Sequence, residues 1–274
     1  MSEETTGAAS HYGSYYGNFA ADAYAEIRRE EYGEDFGQNN WQTPEELEHF
    51  SSLLQLGPGV GLLDVACGSG GPALLLARAT GCHVTGVDRE ATGLANARRI
   101  AREAGLGLQA TFVRADASLP LPFSEGSFGA ISCIDALNHL PGRPAVFADW
   151  ARLLAPGGRL LVTDPVTVTG LVSAEELATR SSIGYFEFAP PGEDERLLVA
   201  AGLKVLAVED LTDAVAAVAR RRCTARAQRA AALRELEGDE GFERRQRFLD
   251  IVAIMARERR ISRFAYLAEK SGAA

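Results

Sequence analysis

Cationic residues are in the minority in this chain of 274 residues. Its 28 lysines and arginines are outnumbered by 37 aspartates and glutamates, and the formal net charge is −9. Nucleic-acid-binding proteins usually carry a basic surface, because phosphate contacts supply much of their affinity. Arg220, Arg221 and Arg222 are adjacent, but such a run is typical of a solvated helix face. We therefore expect no nucleic-acid partner.

Cysteine is scarce as well, with only Cys67, Cys82, Cys133 and Cys223. They lack the close spacing of metal-binding motifs, so we expect reduced thiols in a cytoplasmic protein and no metal site. No apolar run reaches about 18 residues, so we expect no membrane span. The first ten residues, MSEETTGAAS, are acidic and polar, which does not fit a secretory or mitochondrial signal.

The most informative feature that is present is a strand running directly into a glycine-rich turn. This segment reads LLDVACGSGG, residues 62–71, and a helix is predicted to follow it. Such a turn places backbone N–H groups and a helix N-terminus against a ligand, and glycine allows close approach. A second apolar strand ends at Asp88, where a carboxylate can accept both hydroxyl hydrogens of a ribose. Together they predict a nucleoside cofactor.

Strand and helix signals alternate between residues 56 and 165. The predicted strands are 61–66, 82–88, 108–114, 128–134 and 159–164, and the predicted helices are 71–80, 90–105 and 143–153. This alternation predicts a parallel sheet with helices on both faces. We expect residues 1–55 to form a cap rich in aromatic residues, residues 56–165 the cofactor-binding core, and residues 166–274 an acceptor-pocket insert, long helices and the final strands.

The third part is less regular than the core. A strand is predicted at 204–208, followed by a long helical stretch at 212–258. The last apolar run, 261–267, is expected to close the sheet as an antiparallel edge strand. The helical stretch carries an apolar stripe suited to the core and to a possible homodimer face.

Two cofactor interpretations compete at the glycine turn. Gly68-x-Gly70-x-x-Ala73 matches the dinucleotide fingerprint formally, with Asp88 18 residues beyond Gly70. By itself that match favours NAD. However, Asp64 precedes the turn to give Asp-x-Ala-x-Gly-x-Gly, and Asp116 follows the third strand. LPF at 121–123, SFGAI at 127–131 and LLAPGGRL at 153–160 then follow in order.

This ordered set, spanning about residues 60–165, resembles the class I S-adenosylmethionine-dependent methyltransferases. The likeness is to small-molecule types such as sarcosine/dimethylglycine and phosphoethanolamine N-methyltransferases. It implies an α/β, Rossmann-like fold with a seven-stranded, mostly parallel sheet, an N-terminal helical lid and an insert after the fifth strand. It also implies S-adenosyl-L-methionine as cofactor, S-adenosyl-L-homocysteine as product and a small-molecule methyl acceptor as partner.

The resemblance also assigns cofactor contacts position by position. The implied set is Asp64, Ala66, Gly68 and Gly70 at the methionine end, Asp88 on the ribose hydroxyls, Arg89 beside the adenine, Asp116 and Ala117 at the adenine amino group and ring, and Ile134 in main-chain contact near the methionine moiety. Ala66 stands where many members of the family have glycine. Because alanine keeps the site small, we expect little loss from it.

His139 is the candidate general base. It lies in Asp135-Ala-Leu-Asn-His139, just after the fourth strand, at the sheet edge where open α/β folds bind ligands. The unperturbed pKa of histidine suits proton removal near neutrality. The segment resembles the corresponding one of phosphoethanolamine N-methyltransferases, which implies a catalytic His139 and an Asp135 that orients the acceptor or steadies a cation. Helix capping by His139 and loop stabilisation by Asp135 are the structural alternatives.

The cap and the insert supply the candidate acceptor contacts. Tyr15, Tyr16, Gln38 and Trp41 are expected in a lid that excludes water and stacks on the sulfonium or a cationic acceptor. Arg180 and Tyr185, after the fifth strand, are expected to contact polar groups of the acceptor. Ordinary core packing is the alternative for the aromatic residues.

Three functions remain open from the sequence. The first is methyl transfer to an N or O nucleophile of a metabolite. The second is a protein that binds S-adenosylmethionine but performs other chemistry, such as a cyclisation. The third is a nicotinamide oxidoreductase or a non-enzymatic nucleotide module, although no Tyr-x-x-x-Lys dyad for hydride chemistry is evident.

Overall fold

A seven-stranded sheet forms the centre of the molecule in this computed structural model, which describes residues 12–13, 15–33, 35 and 37–272. The strands are β1 (Gly61–Val65), β2 (His83–Asp88), β3 (Ala110–Arg114), β4 (Phe128–Ile134), β5 (Leu154–Val168), β6 (Leu203–Asp210) and β7 (Ile261–Lys270). Their order across the sheet is β3-β2-β1-β4-β5-β7-β6. The pairs among β1 to β5 are parallel, and β7 is antiparallel to both of its neighbours.

Helices cover both faces of the sheet. They are α1 (Asp22–Tyr32), α2 (Pro44–Leu53), α3 (Gly71–Thr80), α4 (Ala91–Glu103), α5 (Arg143–Leu153), α6 (Ala174–Arg180), α7 (Glu193–Ala200), α8 (Thr212–Gln228), α9 (Ala230–Glu237) and α10 (Asp239–Arg257). On one face, Phe147 and Trp150 of α5 pack with Leu198 of α7 against the strands. On the other face, Phe50 of α2 and Leu76 of α3 do the same. The predicted fold class is confirmed.

The expected edge position of the last strand is wrong, because β7 lies between β5 and β6 and β6 forms the edge. The burial patterns give the reason. Eight consecutive residues of β7 from Ile261 to Ala268 include only one that is not buried, whereas buried or half-buried and exposed residues alternate along β6. A strand buried on both faces belongs inside the sheet, and a strand with one exposed face suits its edge.

The predicted helical stretch at 212–258 is divided into α8, α9 and α10. The breaks fall at Arg229 and at Gly238, whose φ of 74° is easily reached only by glycine. Within the described residues, no helix combines the length and the apolar character that crossing a membrane requires. The subdivision lets α8 and α10 pack side by side, and α8 also packs against α1, which positions this helix of the cap.

The cap is joined to α8 by buried ionic contacts. Glu31 of α1 accepts hydrogen bonds from Nε of Arg222 at 2.8 Å, and both side chains are buried. Arg222 also donates to the carbonyl of Asn40 at 2.8 Å. These contacts hold residues 37–41 over the carboxyl ends of the parallel strands.

Candidate functional site

A cavity of about 260 Å³ opens at the carboxyl ends of β1, β2 and β4. It is lined by the glycine turn, by the residues that follow β2, β3 and β4, and by the cap. Eight of the nine sequence-predicted cofactor residues line it: Asp64, Ala66, Gly68, Asp88, Arg89, Asp116, Ala117 and Ile134. The fold thus brings residues from four strand ends to one place, as expected for the ligand crevice of an open α/β sheet.

The glycine turn is built from three left-handed residues. Ala66, Gly68 and Gly70 have φ values of 57°, 54° and 71°. Gly70, the ninth predicted residue, does not line the cavity. A Cβ there would lie 2.9 Å from both Ala97 Cβ and the Phe112 ring, so Gly70 allows α3 to start close to its neighbours. A Cβ on Gly68 would overlap the Tyr16 hydroxyl, which lies against the turn from the cap side.

Asp88 is well placed to bind a ribose. Its two carboxylate oxygens accept backbone N–H groups of Gly68 and Glu90, each at 2.8 Å, and the residue is 9% exposed. Burial raises the pKa of this carboxyl group. Each oxygen keeps a lone pair for a ligand hydroxyl, because a carboxylate has about four acceptor positions in total.

Asp64 supplies a second buried carboxyl group to the same cavity. It accepts a hydrogen bond from Ser132 Oγ at 2.7 Å. Burial, with a smaller contribution from the charge of Asp88, raises the pKa of Asp64 to about 7. Nearby, the buried hydroxyl of Ser69 has no hydrogen-bond partner among the described residues. Two buried carboxyl groups and an unsatisfied hydroxyl fit a ligand that brings both hydroxyl groups and positive charge, as S-adenosylmethionine does.

The other end of the cavity is more open. Arg89 and Asp116 follow β2 and β3 and line the cavity with Ala117. The Asp116 carboxylate accepts from the backbone N–H and the hydroxyl of Ser118, at 3.0 and 2.6 Å. That arrangement fixes the loop that would border a flat heterocycle.

His139 lies at the end of a 3₁₀ turn, Leu137–His139, directly after β4. Its Nδ1 lies 2.8 Å from the Tyr185 carbonyl, and its Nε2 lies 2.9 Å from the Tyr12 hydroxyl. Because a carbonyl can only accept, Nδ1 carries the proton and Nε2 accepts from Tyr12. Burial lowers the pKa of His139 to about 4, so the ring is neutral at pH 7.

Tyr12 is the contact that the sequence did not single out. It was one of several aromatic residues in the cap, and 127 positions separate it from His139. Burial raises the pKa of its hydroxyl to about 12, so the hydroxyl keeps its proton. Tyr12 and His139 form a hydrogen-bonded pair at the rim shared by the large cavity and a smaller chamber.

Asp135 lines the cavity, but protein donors already occupy its carboxylate. Oδ1 accepts from Arg263 and Thr163, both at 2.7 Å, and Oδ2 accepts from the backbone N–H of Trp41 at 2.8 Å. Arg263 also bridges to Glu46 of α2 at 2.7 Å. The carboxylate therefore ties the cap to the sheet, and its predicted contact with the acceptor remains a prediction.

The smaller chamber, of about 40 Å³, shares His139 and Tyr12 with the large cavity. Aromatic and apolar side chains form its walls, and Arg180 reaches it from α6. The lining includes Trp41, Ile183, Phe186 and Phe248, together with Arg180, Arg222 and Arg245. The insert after β5 and helices α8 and α10 thus form a wall of the site. Predicting site residues from the ends of parallel strands does not find this wall.

The remaining predicted acceptor residues are placed differently from one another. Tyr16 and Gln38 line the large cavity, and Trp41 and Arg180 line the chamber. The Tyr185 side chain is 48% exposed and is not among the described lining residues; its carbonyl binds His139 instead. Tyr15 packs between the cap and the C-terminal helices, against Tyr24 and Arg245.

Comparisons with known proteins find methyltransferases that are similar to this chain. Residues 62–158 match the family model described as methyltransferase domain. The chain is similar to the methyltransferase GfsG of Streptomyces halstedii, with 34% identity over 172 residues, which cover 61% of this chain and 60% of that protein. The chain thus spans about 60% of the length of this curated relative.

Solved structures share the fold at lower sequence identity. A putative sarcosine dimethylglycine methyltransferase from Galdieria sulphuraria has a TM-score of 0.75 and 21% identity, covering 83% of this chain and 84% of that one. The [4+2]-cyclase SpnF has a TM-score of 0.71 and 24% identity, covering 88% and 86%.

Proposed function

We propose that this chain, which belongs to the class I S-adenosylmethionine-dependent methyltransferases, transfers a methyl group to an N or O nucleophile of a small-molecule metabolite. S-adenosyl-L-methionine is the cofactor, and the NAD interpretation of the glycine turn is set aside. The observation that carries the proposal is the convergence of Asp64, Asp88 and the His139–Tyr12 pair on one cavity. Side chains that can bind the cofactor and a side chain that can accept a proton therefore line the same cavity.

The cofactor would be held by the strand-end residues. Asp88 would bind the ribose hydroxyls, Asp64 the positively charged methionine end, and Arg89, Asp116 and Ala117 would border the adenine. The chemistry that bound S-adenosylmethionine supplies is an electrophilic methyl group on a sulfonium sulfur. The contribution of the chain is alignment of the acceptor with that group, which in well-oriented systems is worth about 7–11 kcal/mol.

His139 would receive the proton that the acceptor loses. An acceptor hydroxyl or ammonium would pass its proton to Nε2, directly or through the Tyr12 hydroxyl. The lone pair left on the acceptor would then be available to the methyl group that bound S-adenosylmethionine would supply, and the methyl–sulfur bond would break to leave the neutral thioether S-adenosylhomocysteine. Neutral His139 has the required lone pair on Nε2, because Nδ1 donates to the Tyr185 carbonyl. Tyr16 and Gln38 would cover the cofactor and exclude water.

Substitutions of Asp88 and His139 should affect different steps. Asp88→Ala removes charged hydrogen-bond acceptors and should weaken S-adenosylhomocysteine binding by about 10–100-fold. His139→Ala should leave that affinity within about twofold and lower turnover by about 10²–10⁴-fold. Calorimetric titration measures the first quantity, and transfer of radiolabelled methyl to a panel of small amines, phenols and alcohols measures the second.

Tyr12→Phe is the companion variant, because it removes one oxygen and keeps the ring against His139. It should lower turnover less than His139→Ala does if Tyr12 only relays the proton. Full activity of His139→Ala on an accepted substrate would refute the assignment of the base.

Non-methylating chemistry such as a cyclisation is the alternative, and the fold shared with a cyclase favours keeping it. The two functions differ in what happens to the cofactor. A methyltransferase converts S-adenosylmethionine to S-adenosylhomocysteine in proportion to product, whereas the alternative binds the cofactor without consuming it. The three-part domain division, the homodimer and the cytoplasmic location remain predictions, testable by limited proteolysis, sedimentation and cell fractionation.

A further inference from the structure

Arg180 differs from the other buried arginines of this protein. Arg28, Arg143, Arg222, Arg226 and Arg263 are each at most 6% exposed, and each forms an ion pair with at least one carboxylate. Arg180 is 2% exposed, yet within the described part of the chain no carboxylate lies within ion-pair distance of it. Its one hydrogen bond to a residue that the structure describes runs to the Pro165 carbonyl at 3.3 Å.

Aromatic rings hold the Arg180 guanidinium in place. Its central carbon lies 4.9 Å from the centre of the Phe186 ring and 5.2 Å from that of Phe248. The rings contribute attraction, but they satisfy none of the five N–H donors of a guanidinium. Asp135 and Asp164, the carboxylates of the sheet region whose charges act on Arg180, are already bound to Arg263 and Arg143.

Burying a cation without a carboxylate partner lowers the free energy of unfolding, so an anion bound from outside the chain would stabilise the Arg180 side chain. Arg180 lines the small chamber together with His139 and Tyr12. Phe186, which packs on Arg180, also contacts the His139 ring at a centroid distance of 4.7 Å. A group bound to Arg180 is therefore next to the proposed base.

We propose that Arg180 binds an anionic oxygen group, of the size of a carboxylate, carried by the methyl acceptor. The proposal rests on the proposed function, and it specifies the acceptor class: an anion with an apolar or aromatic body. The size follows from the chamber of about 40 Å³, because one water needs roughly 10–15 Å³ on a comparable measure. The walls of Trp41, Ile183, Phe186 and Phe248 favour an apolar attachment beside the anion. The rest of the acceptor body would extend past His139 into the large cavity.

The test compares benzoate, phenyl phosphate and benzamide as probes. Each is titrated into protein saturated with S-adenosylhomocysteine, at constant ionic strength, and binding is followed by calorimetry and melting temperature. Wild-type protein should bind benzoate and not benzamide, which has the same shape without the charge. Binding of phenyl phosphate without benzoate would overturn the proposed carboxylate-sized site, because a phosphate is the larger group. The proposal would be overturned if wild-type protein bound neither anion at about 10 mM.

Two substitutions of Arg180 separate binding from a structural role. Arg180→Lys keeps the charge and should retain benzoate binding, whereas Arg180→Met should weaken it at least about tenfold, since charge-assisted hydrogen bonds are the strong ones. Arg180→Met should also melt no lower than wild type, because it removes an uncompensated charge. The matched control is Arg143→Met, which leaves Asp164 and Asp194 unpaired and should lower the melting temperature.

A purely structural Arg180 gives the opposite pattern. Arg180→Met would then melt lower, as Arg143→Met does, and would bind benzoate as wild type does; that result overturns the proposal. The affinity for S-adenosylhomocysteine, measured first on every sample, keeps the two claims apart. If wild-type protein does not bind S-adenosylhomocysteine, the proposed function is contradicted. If it binds S-adenosylhomocysteine but does not prefer benzoate to benzamide, only the role of Arg180 is contradicted.

Discussion

At the residue scale, burial sets the protonation states at the site. It raises the pKa of Asp64 to about 7 and lowers the pKa of His139 to about 4, because each neutral form is favoured away from water. At pH 7 a large share of Asp64 is therefore protonated, and His139 is an unprotonated hydrogen-bond acceptor. Neutral His139 can accept a proton, whereas a protonated Asp64 must ionise before it can pair with a cationic ligand.

Asp64 should release a proton when the cofactor binds. A positive charge beside the carboxyl group favours its ionised form, so the pKa falls from about 7 and up to about half a proton leaves at pH 7. Titration with S-adenosylmethionine in phosphate and in Tris should give binding enthalpies that differ by the heats of buffer protonation. Asp64→Asn should bring the two enthalpies together, and equal enthalpies for wild type would contradict the assignment.

The same pKa shift has a consequence for the ligand-free protein. A carboxyl group whose pKa is raised on folding stabilises the fold below its unfolded pKa, and this contribution is lost as the pH rises through about 7. Asp64→Asn should remove that part of the pH dependence of unfolding. This readout needs no cofactor and serves as the control for the calorimetry.

At the scale of elements, the strand–turn–helix unit from β1 to α3 depends on left-handed backbone at three positions. Gly70 meets the requirement without cost, whereas Ala66 adopts a φ of 57° that an L-residue reaches with strain. The helix start also requires close packing, because Ala97 and Phe112 leave no room for a Cβ at position 70.

Substitutions in this turn should change stability in opposite directions. Gly70→Ala adds strain of about 1–2 kcal/mol and a steric clash, so its free energy of unfolding should fall by at least about 2 kcal/mol. Ala66→Gly relieves similar strain, which stabilises the fold. The greater backbone entropy of glycine in the unfolded state opposes this by about 0.4–1 kcal/mol, so the free energy of unfolding should rise by at most about 1.5 kcal/mol. Urea unfolding measures both, and a destabilised Ala66→Gly would show that the Cβ packs usefully.

At the scale of the whole molecule, the site is complete only when the cap is docked. The carboxyl ends of the parallel strands are covered by residues 37–41 together with Tyr12 and Tyr16. These residues are held there because α1 is bound to α8 and the Asp135 carboxylate binds the backbone N–H of Trp41. The C-terminal helices therefore support the large cavity indirectly, through the cap, and line the chamber directly, through Phe248.

Glu31→Leu should loosen the cap. It leaves Arg222 buried without its carboxylate partner, and breaking such a pair costs about 3–5 kcal/mol. We expect weaker S-adenosylhomocysteine binding and faster proteolytic cleavage within residues 15–41. Arg99→Met is the control, because its partner Glu103 is 60% exposed and such a pair contributes at most about 0.5 kcal/mol. Equal cleavage rates for the two variants would show that the pair does not hold the cap.

The sequence by itself determined the parallel core and most of the strand-end residues that line the large cavity. Asp64, Ala66 and Gly68 are close in the chain, Asp88 ends a predicted strand and Asp116 follows another. Because the carboxyl ends of parallel strands meet along one side of the sheet, these local signals suffice. The position of β7 inside the sheet was missed, because strand order depends on which faces the rest of the chain covers.

Only the tertiary structure decided what surrounds His139. Tyr12 is 127 positions away from it, and Arg180 and Phe248 reach the chamber from separate helices, with no spacing rule linking them. The sequence suggests that the Asp135 carboxylate is available to a ligand. In the fold it accepts hydrogen bonds from Arg263, Thr163 and the backbone N–H of Trp41. Burial and pairing arise when distant segments pack, and they determine which charges remain available to a ligand.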